Sequence, residues 1–137
     1  MKYKGRIALT YTIINIVVTL LFVGFVLWKI FPARGVRQIR TPQLKELMQN
    51  DDIQFIDVRP PQQYDQFHIY GFENIPLKHI RKEATNLNKD QPVVLICQTG
   101  TKGNEASKRL KRRGFKKLAN VQGGLSTWEP MHVEREK

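Results

Sequence analysis

The chain has 137 residues, of which 23 are Lys or Arg and 12 are Asp or Glu, so its formal net charge is +11 at pH 7. Its single cysteine, Cys97, excludes an internal disulfide and any dithiol chemistry that needs a second cysteine in the same chain. All 12 acidic residues follow residue 28, so the charge of the part after residue 28 is more balanced than the total charge suggests. The charge alone therefore does not predict a nucleic-acid partner, and we expect none.

An uncharged run from Ile7 to Trp28 follows a basic tail of residues 1–6. At ~1.5 Å per helical residue, this run is long enough to cross a hydrocarbon layer of ~30 Å. A buried core helix needs only ~10–14 apolar residues, and the exit of the run lacks an A-x-A-like cleavage site for a signal peptide. The sequence therefore predicts an uncleaved transmembrane helix over residues 7–28, followed by a juxtamembrane linker over 29–36.

The basic residues on the two sides of the span predict its orientation. Three precede the span, and those that follow it closely are Lys29, Arg34, Arg37, Arg40 and Lys45. This excess weakly favours a cytoplasmic position for the C-terminal part of a single-pass protein. One short anchor joined to one small domain is typical of a bacterial inner or plasma membrane.

About 100 residues remain after the span, which is enough for one small domain. We assign this domain to residues 37–130 and a C-terminal tail to 131–137. A short strand is predicted before Thr41, which supplies an N-cap, and Pro42, which suits the first position of a short amphipathic helix. The apolar run IQFIDV (53–58) predicts a strand, and the prolines of PPQQYDQ can start a helix behind it.

The second half of the domain repeats the alternation of strand and helix. NIPL (74–77) predicts a short strand followed by a polar helical segment, and the continuous apolar run PVVLIC (92–97) predicts a central strand that is covered on both faces. After the loop TGTKG, a helix is predicted from Asn104 to a C-cap at Gly114, and then a last strand over 115–121 and a terminal helix. This order predicts an α/β domain with a parallel central sheet flanked by helices.

Cys97 is predicted to lie where a parallel sheet binds ligands, beyond the carboxyl end of a strand. Gly100 and Gly103 permit positive φ, so that N–H groups of the loop can turn inward and form an anion cradle next to the helix N-terminus. A thiolate at the rim of this cradle is favoured over a thiol, and Lys102 is placed to contribute. The alternative is that Cys97 only ends a buried strand as a small hydrophobe.

Three motifs in this order resemble the rhodanese family. CQTGTKG (97–103) is similar to its active-site loop, which has a cysteine, five further loop positions and a helix. IDVRPPQQYDQFHIYGFENIPL (56–77) resembles its Asp-Val-Arg and Gly-His-Ile-x-Gly-Ala-x-Asn-Ile-Pro signatures, and GFKKLANVQGGLSTW (114–128) resembles its closing Val-x-x-Gly-Gly and Trp stretch. The resemblance covers about residues 37–130.

The resemblance implies a sulfurtransferase in which Cys97 accepts sulfane sulfur as a persulfide and passes it to a thiol, a thiol protein or cyanide. Asp57 and Arg59 could orient the substrate, although at a strand end such residues more often hold neighbouring loops. No cofactor and no metal is expected, since His68 and His79 show no ligand spacing with each other or with Cys97. The expected substrate-binding residues are Gln98, Thr99, Gly100, Thr101, Lys102 and Gly103.

The loop departs from the family pattern at two positions. Lys102 stands where the family usually has arginine, and Gly103 stands where a small hydroxyl residue often follows. Lysine keeps the positive charge but lacks the bidentate fork that suits an oxyanion. We therefore expect weak activity with thiosulfate.

Two other functions are compatible with the same residues. A non-catalytic rhodanese-like module would only carry sulfur or bind a partner at the membrane. A cysteine phosphatase needs one more loop residue and an arginine six positions after the cysteine, where this chain has Gly103. Separately, the basic helix near residues 108–117 could contact anionic lipid, through Lys108, Arg109, Lys111, Arg112 and Arg113.

Overall fold

The computed structural model describes residues 2–32 and 34–129 and divides the chain into two units, Met1–Phe31 and Pro32–Lys137. The first unit contains helix α1, Lys2–Ile30. Its segment Tyr3–Ile30 is long and apolar enough to cross a membrane, a test that a signal sequence near the N-terminus would also pass. The hydroxyl groups of Thr10, Thr12 and Thr19 donate to carbonyls four residues earlier, which satisfies them within the helix. The predicted membrane segment is therefore a long helix with an apolar surface.

The second unit is built on a parallel sheet with the strand order β1-β5-β4-β2-β3. Four further α-helices accompany the sheet within residues 34–129. The strands are β1 (Arg37–Ile39), β2 (Gln54–Asp57), β3 (Glu73–Asn74), β4 (Val93–Ile96) and β5 (Leu118–Val121). The helices are α2 (Thr41–Leu47), α3 (Pro61–Gln66), α4 (Ile80–Glu83) and α5 (Thr101–Arg112). This architecture confirms the predicted α/β fold with a parallel central sheet.

The apolar run ending at residue 97 forms the central strand β4, as predicted, and all four of its residues are buried. Successive side chains of a strand point to opposite faces. Val94 and Ile96 pack on one face, in a cluster that includes Leu44 of α2. Val93 and Leu95 pack on the other face, in a cluster that includes Leu110 of α5. Helices thus cover both faces of the sheet, which explains why β4 is apolar without alternation.

The helix after β2 starts at the prolines as predicted, but the first helix of the domain is capped differently from expectation. The N-cap of α2 is Arg40, whose backbone N–H donates to the side chain of Gln43 at 3.0 Å. The hydroxyl of Thr41, predicted to be the cap, instead bonds to the carbonyl oxygen and the hydroxyl of Thr127 at 3.1 and 2.9 Å. The predicted cap residue therefore joins α2 to the end of the domain.

The end of the domain also contains less helix than predicted. A single 3₁₀ turn, Gly124–Thr127, stands where we expected a terminal helix. The part of that prediction beyond Glu129 falls outside the described residues. The turn is nonetheless important for the site, because it lies against the loop that follows β4.

Candidate active site

Cys97 directly follows β4, and its side chain lies on the same face of the sheet as Val93 and Leu95. The residue is only 1% exposed and belongs to the core cluster around α5. The expectation that the cysteine stands at the rim of the cradle is therefore wrong. The alternation along a doubly covered strand carries its side chain inward, and Sγ lies at the floor of the loop.

Two backbone N–H groups point at the sulfur atom. Gly100 N–H donates to Cys97 Sγ at 3.0 Å, and Gly103 N–H donates at 3.4 Å. A weak acceptor such as a thiol becomes a strong one when it is ionised, so these donors favour negative charge on the sulfur. The predicted cradle is present in these two groups.

The glycines of the cradle act for different reasons. Gly100 has φ of 95° and is the N-cap of α5, so the loop needs its left-handed conformation. Gly103 is not a loop residue, because α5 begins at Thr101, three residues earlier than predicted. Its N–H is free to turn toward the sulfur because the first four N–H groups of a helix have no intrahelical partner.

The remaining residues predicted to bind substrate do not donate a backbone N–H to the sulfur in the described contacts. Gln98, Thr99, Thr101 and Lys102 are all exposed on the outer side of the loop or the first turn of α5. Gln98 contributes its carbonyl oxygen, which accepts a hydrogen bond from Ser126 N–H at 3.0 Å. Among the described hydrogen bonds, those to Cys97 Sγ therefore come from Gly100 and Gly103 of the predicted set.

The 3₁₀ turn Gly124–Thr127 holds the loop that follows β4 in place. Leu125 N–H donates to the carbonyl oxygen of Cys97 at 2.9 Å. A Cβ at Gly124 would stand only 2.1 Å from that same carbonyl oxygen, so the close approach of the two segments requires glycine. The sequence indicates Gly124 only as part of the closing Gly-Gly motif, and the paired glycines are the signal for this contact.

Asn120 is a site residue that the sequence did not indicate. Its side chain is 3% exposed, and Nδ2 donates to the carbonyl oxygen of Gly100 at 3.0 Å and to Gln38 Oε1 at 2.9 Å. A Cβ at position 103 would stand 2.2 Å from Asn120 Oδ1. The only hint in the sequence was a polar residue inside the apolar strand LANV. Asn120 therefore occupies the space that a side chain at Gly103 would need.

Asp57 and Arg59 form a buried ion pair at the carboxyl end of β2. Arg59 Nη2 lies 2.7 Å from Asp57 Oδ2, and the two residues are 4% and 1% exposed. Arg59 Nη2 also donates to the carbonyl oxygen of Phe67 at 2.6 Å, and Arg59 N–H donates to Asp57 Oδ1 at 2.9 Å. These contacts use both charges to hold the turn between β2 and the segment after α3, as expected for the structural role.

Tyr64 and His68 complete the packing beside this pair. Their rings stack with centroids 3.9 Å apart, and the Tyr64 hydroxyl donates to the carbonyl oxygen of Phe72 at 2.5 Å. Burial raises the pKa of Tyr64 above its ordinary value, and the nearby carboxylate of Asp57 raises it further. His68 Nδ1 lies 3.0 Å from the carbonyl oxygen of Tyr64, and this contact and the ring stacking hold the His68 side chain against Tyr64.

Comparison with known proteins identifies the domain. Residues 41–130 match the family described as rhodanese-like domain. The "Putative sulfur carrier protein YrkF" of Bacillus subtilis is 32% identical over 97 residues, which are 70% of this chain and 52% of that protein, so the match spans about half of its length. The "Thiosulfate sulfurtransferase GlpE" of Pseudoalteromonas translucida is 28% identical over 99 residues, covering 72% of this chain and 94% of that protein.

The fold is shared with solved structures of the same kind. The crystal structure of a rhodanese-like domain protein from Staphylococcus aureus aligns with a TM-score of 0.65 at 23% identity, over 74% of this chain and 100% of that chain. The family match covers more than half of the sequence, and the three motifs on which the resemblance rested all lie within or at the edge of it. The chain therefore belongs to the rhodanese-like domain family.

Proposed function

We propose that this protein is a sulfurtransferase that carries sulfane sulfur as a persulfide on Cys97. The observation that supports the proposal most directly is the pair of N–H groups, from Gly100 and Gly103, that donate to Cys97 Sγ at 3.0 and 3.4 Å. A nucleophilic cysteine reacts as the thiolate, and fixed donors around it stabilise both that thiolate and an anionic product. The naming of GlpE as a thiosulfate sulfurtransferase supports the same chemistry.

In the first step, the thiolate of Cys97 attacks the outer sulfur of a donor such as thiosulfate or a polysulfide. A bond forms between Sγ and that sulfur, and the S–S bond of the donor breaks. The leaving group, sulfite in the case of thiosulfate, departs with the electron pair. In the second step, cyanide or a thiol attacks the outer sulfur, and Sγ takes the electron pair and returns to the thiolate.

A sulfur-carrier module without turnover is the second candidate. The burial of Cys97 favours it, since a sulfur atom at the floor of the loop suits stable storage. The name of YrkF, a putative sulfur carrier, is also consistent with it. Both candidates require the persulfide, and they differ in whether an acceptor removes the sulfur repeatedly.

Mass spectrometry of the full chain, purified in detergent, tests the common step. After treatment with thiosulfate or polysulfide, we expect a mass gain of one sulfur atom that is located on Cys97 and removed by cyanide. Cys97→Ser should show no gain under the same conditions. A wild-type chain that never gains sulfur would refute both candidates, whereas a single discharge without turnover would favour the carrier.

For the location, we propose a single-pass membrane protein, with α1 as the anchor and the domain on the cytoplasmic side of a bacterial membrane. The length and apolar composition of α1 and the basic residues after it support this. Because Cys97 is buried, an impermeant thiol reagent needs an exposed target, for which Gln62→Cys in a Cys97→Ser background is suitable. Labelling in intact cells would place the domain outside the cytoplasm and refute the orientation.

The residues that we propose for lipid contact are fewer than those predicted from the sequence of the basic helix. Arg109 pairs with Glu105 at 2.6 Å and donates to the carbonyl oxygen of Leu77, and Lys111 donates to the carbonyl oxygen of Arg34. These two side chains therefore have partners within the domain. Arg112 and Arg113, at the exposed end of α5, are the residues of the predicted set that we propose for contact with anionic lipid.

A further inference from the structure

A groove of about 360 Å³ lies at the carboxyl edge of the sheet, next to the loop that covers Cys97. Its walls include Pro60, Pro61, Pro76 and Leu77, and it also contains Lys78 and Lys102. We call it the Lys78 groove. Sites for organic ligands generally have volumes of ~300–1,000 Å³, so the groove is large enough for a small organic molecule.

The topology brings the groove to the level of the cysteine. Asp57 is paired with Ile96 in the parallel register, and Val58 N–H donates to the carbonyl oxygen of Ile96 at 2.9 Å. The segment after β2 therefore leaves the sheet beside Cys97. Leu77 N–H donates in turn to the carbonyl oxygen of Val58 at 3.1 Å, which sets the residue before Lys78 against the same edge.

Helix α5 holds this wall in place. Arg109 Nη1 donates to the carbonyl oxygen of Leu77 at 2.8 Å, and Arg109 is itself oriented by Glu105. The backbone next to Lys78 is thus tied to the helix that begins at the active-site loop. Glu105, the carboxylate nearest along that helix, is engaged by Arg109 and does not neutralise the lysines of the groove.

The charges of the groove indicate the kind of molecule that it takes. The exposed side chains of Lys78 and Lys102 make no hydrogen bond or ion pair with the residues that the structure describes, and both lie on largely apolar walls. A cation in such surroundings attracts a carboxylate, while the prolines and Leu77 suit a short carbon chain. The two features together favour a small organic anion.

We propose that the Lys78 groove binds the sulfur acceptor, and that this acceptor is a small thiol that carries a carboxylate. The inference rests on the proposed persulfide chemistry at Cys97 and extends it to the second substrate. Lys78 is then a specificity-determining residue, which holds the carboxylate while the thiol reaches the cysteine.

The transfer step is balanced without any further reagent. The acceptor thiol gives its proton to the outer sulfur of the anionic Cys97 persulfide, and its thiolate then attacks that sulfur, so that a new S–S bond forms to the acceptor. The bond between that sulfur and Sγ breaks, and Sγ keeps the electron pair as the thiolate that Gly100 and Gly103 stabilise. The proton stays on the transferred sulfur, so the acceptor leaves as a persulfide.

The test compares three thiols of similar size and different charge. The full chain in detergent is loaded with thiosulfate or polysulfide, the persulfide is verified by mass, and its discharge is timed with 3-mercaptopropionate, 2-mercaptoethanol and cysteamine at equal thiolate concentrations. Each rate is divided by the rate of the same thiol with a protein-free polysulfide, which removes differences in intrinsic reactivity. We expect the carboxylate thiol to react about fivefold faster than the neutral one, and the cationic thiol to react slowest.

Variants locate the effect. Lys78→Gln should reduce the preference for 3-mercaptopropionate over 2-mercaptoethanol about twofold to fivefold. Lys78→Arg should retain the preference, and Lys82→Gln, which changes an exposed lysine of α4 outside the groove, should leave it unchanged. Equal normalised rates for the three thiols, or a preference that Lys78→Gln lowers no more than Lys82→Gln does, would overturn the groove proposal alone. Failure to load Cys97 would instead refute the persulfide function, and the groove proposal with it.

Discussion

The close approach of Gly103 and Asn120 predicts that the domain loses stability when position 103 carries a side chain, as it often does in the family loop. A Cβ at position 103 would stand 2.2 Å from Asn120 Oδ1, well inside the 3.0 Å that Cβ atoms keep from neighbouring atoms. Asn120 cannot turn away freely, because its Nδ2 donates to Gly100 and to Gln38. The Gly103→Ala variant must therefore displace a side chain that is held at both of these contacts.

The cost follows from the bonds that would be lost. Each buried hydrogen bond contributes about 0.5–1.5 kcal/mol, so losing both costs about 1–3 kcal/mol. Alanine is better than glycine within a helix by up to about 1 kcal/mol, which offsets part of this. We expect Gly103→Ala to lower the free energy of unfolding by about 1–2 kcal/mol.

A double-mutant cycle separates this clash from other effects. Asn120→Ala removes the obstructing side chain, so in that background Gly103→Ala should be neutral or stabilise by up to about 1 kcal/mol. The free energy of unfolding is measured by urea denaturation of the full chain in detergent, with the fluorescence of the buried Trp128 as the signal. Costs of Gly103→Ala that agree within about 0.5 kcal/mol in the two backgrounds would refute the reasoning, since additive effects mean no coupling.

Three further predictions concern the loop, the tyrosine and the basic helix end. Lys102→Arg should raise kcat/KM with thiosulfate about threefold to tenfold, because arginine offers two parallel donors to an oxyanion, and an unchanged or lower value would contradict this. Because the pKa of Tyr64 is higher in the folded chain than its ordinary value of 10.0, the unfolded chain loses this proton first as the pH rises. The stability of the wild type should therefore be complete below about pH 10 and fall above it relative to Tyr64→Phe, in urea titrations at each pH; a constant difference between the two would count against the shift. Replacing Arg112 and Arg113 by Gln should leave the domain folded and weaken its contact with nanodiscs that contain anionic lipid, measured as quenching of a label by headgroup-modified lipid at low and high salt; quenching that depends on neither lipid charge nor salt would argue against the contact.

Much of the fold could be predicted because the apolar runs, and the prolines and glycines that end them, are local signals. The run PVVLIC became the central strand, the prolines at 60 and 61 begin α3, and Gly114 adopts the left-handed conformation after α5. The boundaries were less predictable where two residues compete for one role. Thr41 is a good N-cap by type, yet Arg40 caps α2, because the Thr41 hydroxyl bonds to Thr127, 86 residues away.

The position of the candidate site could be predicted, but the residues that hold its loop in place could not. The end of a central strand and a glycine-containing loop located Cys97 and Gly100. The contacts that hold this loop come from Asn120 and from the turn at Gly124, 20 or more residues further along the chain. No spacing rule links a loop to such a distant partner. The residues that support the cradle are therefore identified by the arrangement of the strands in the sheet and not by the sequence.

The burial of Cys97 alone does not distinguish a nucleophile from a small core residue. Its neighbours do, because a purely apolar role gives the surrounding backbone no reason to aim N–H groups at the side chain. Gly100 and Gly103 both donate to Sγ, and a thiol is a weak acceptor for them. A buried donor with a poor acceptor costs about 1–3 kcal/mol, a cost that falls when the sulfur, or a sulfur bound to it, carries negative charge. The loop is therefore arranged for an anion at this position, which a persulfide on Cys97 would supply.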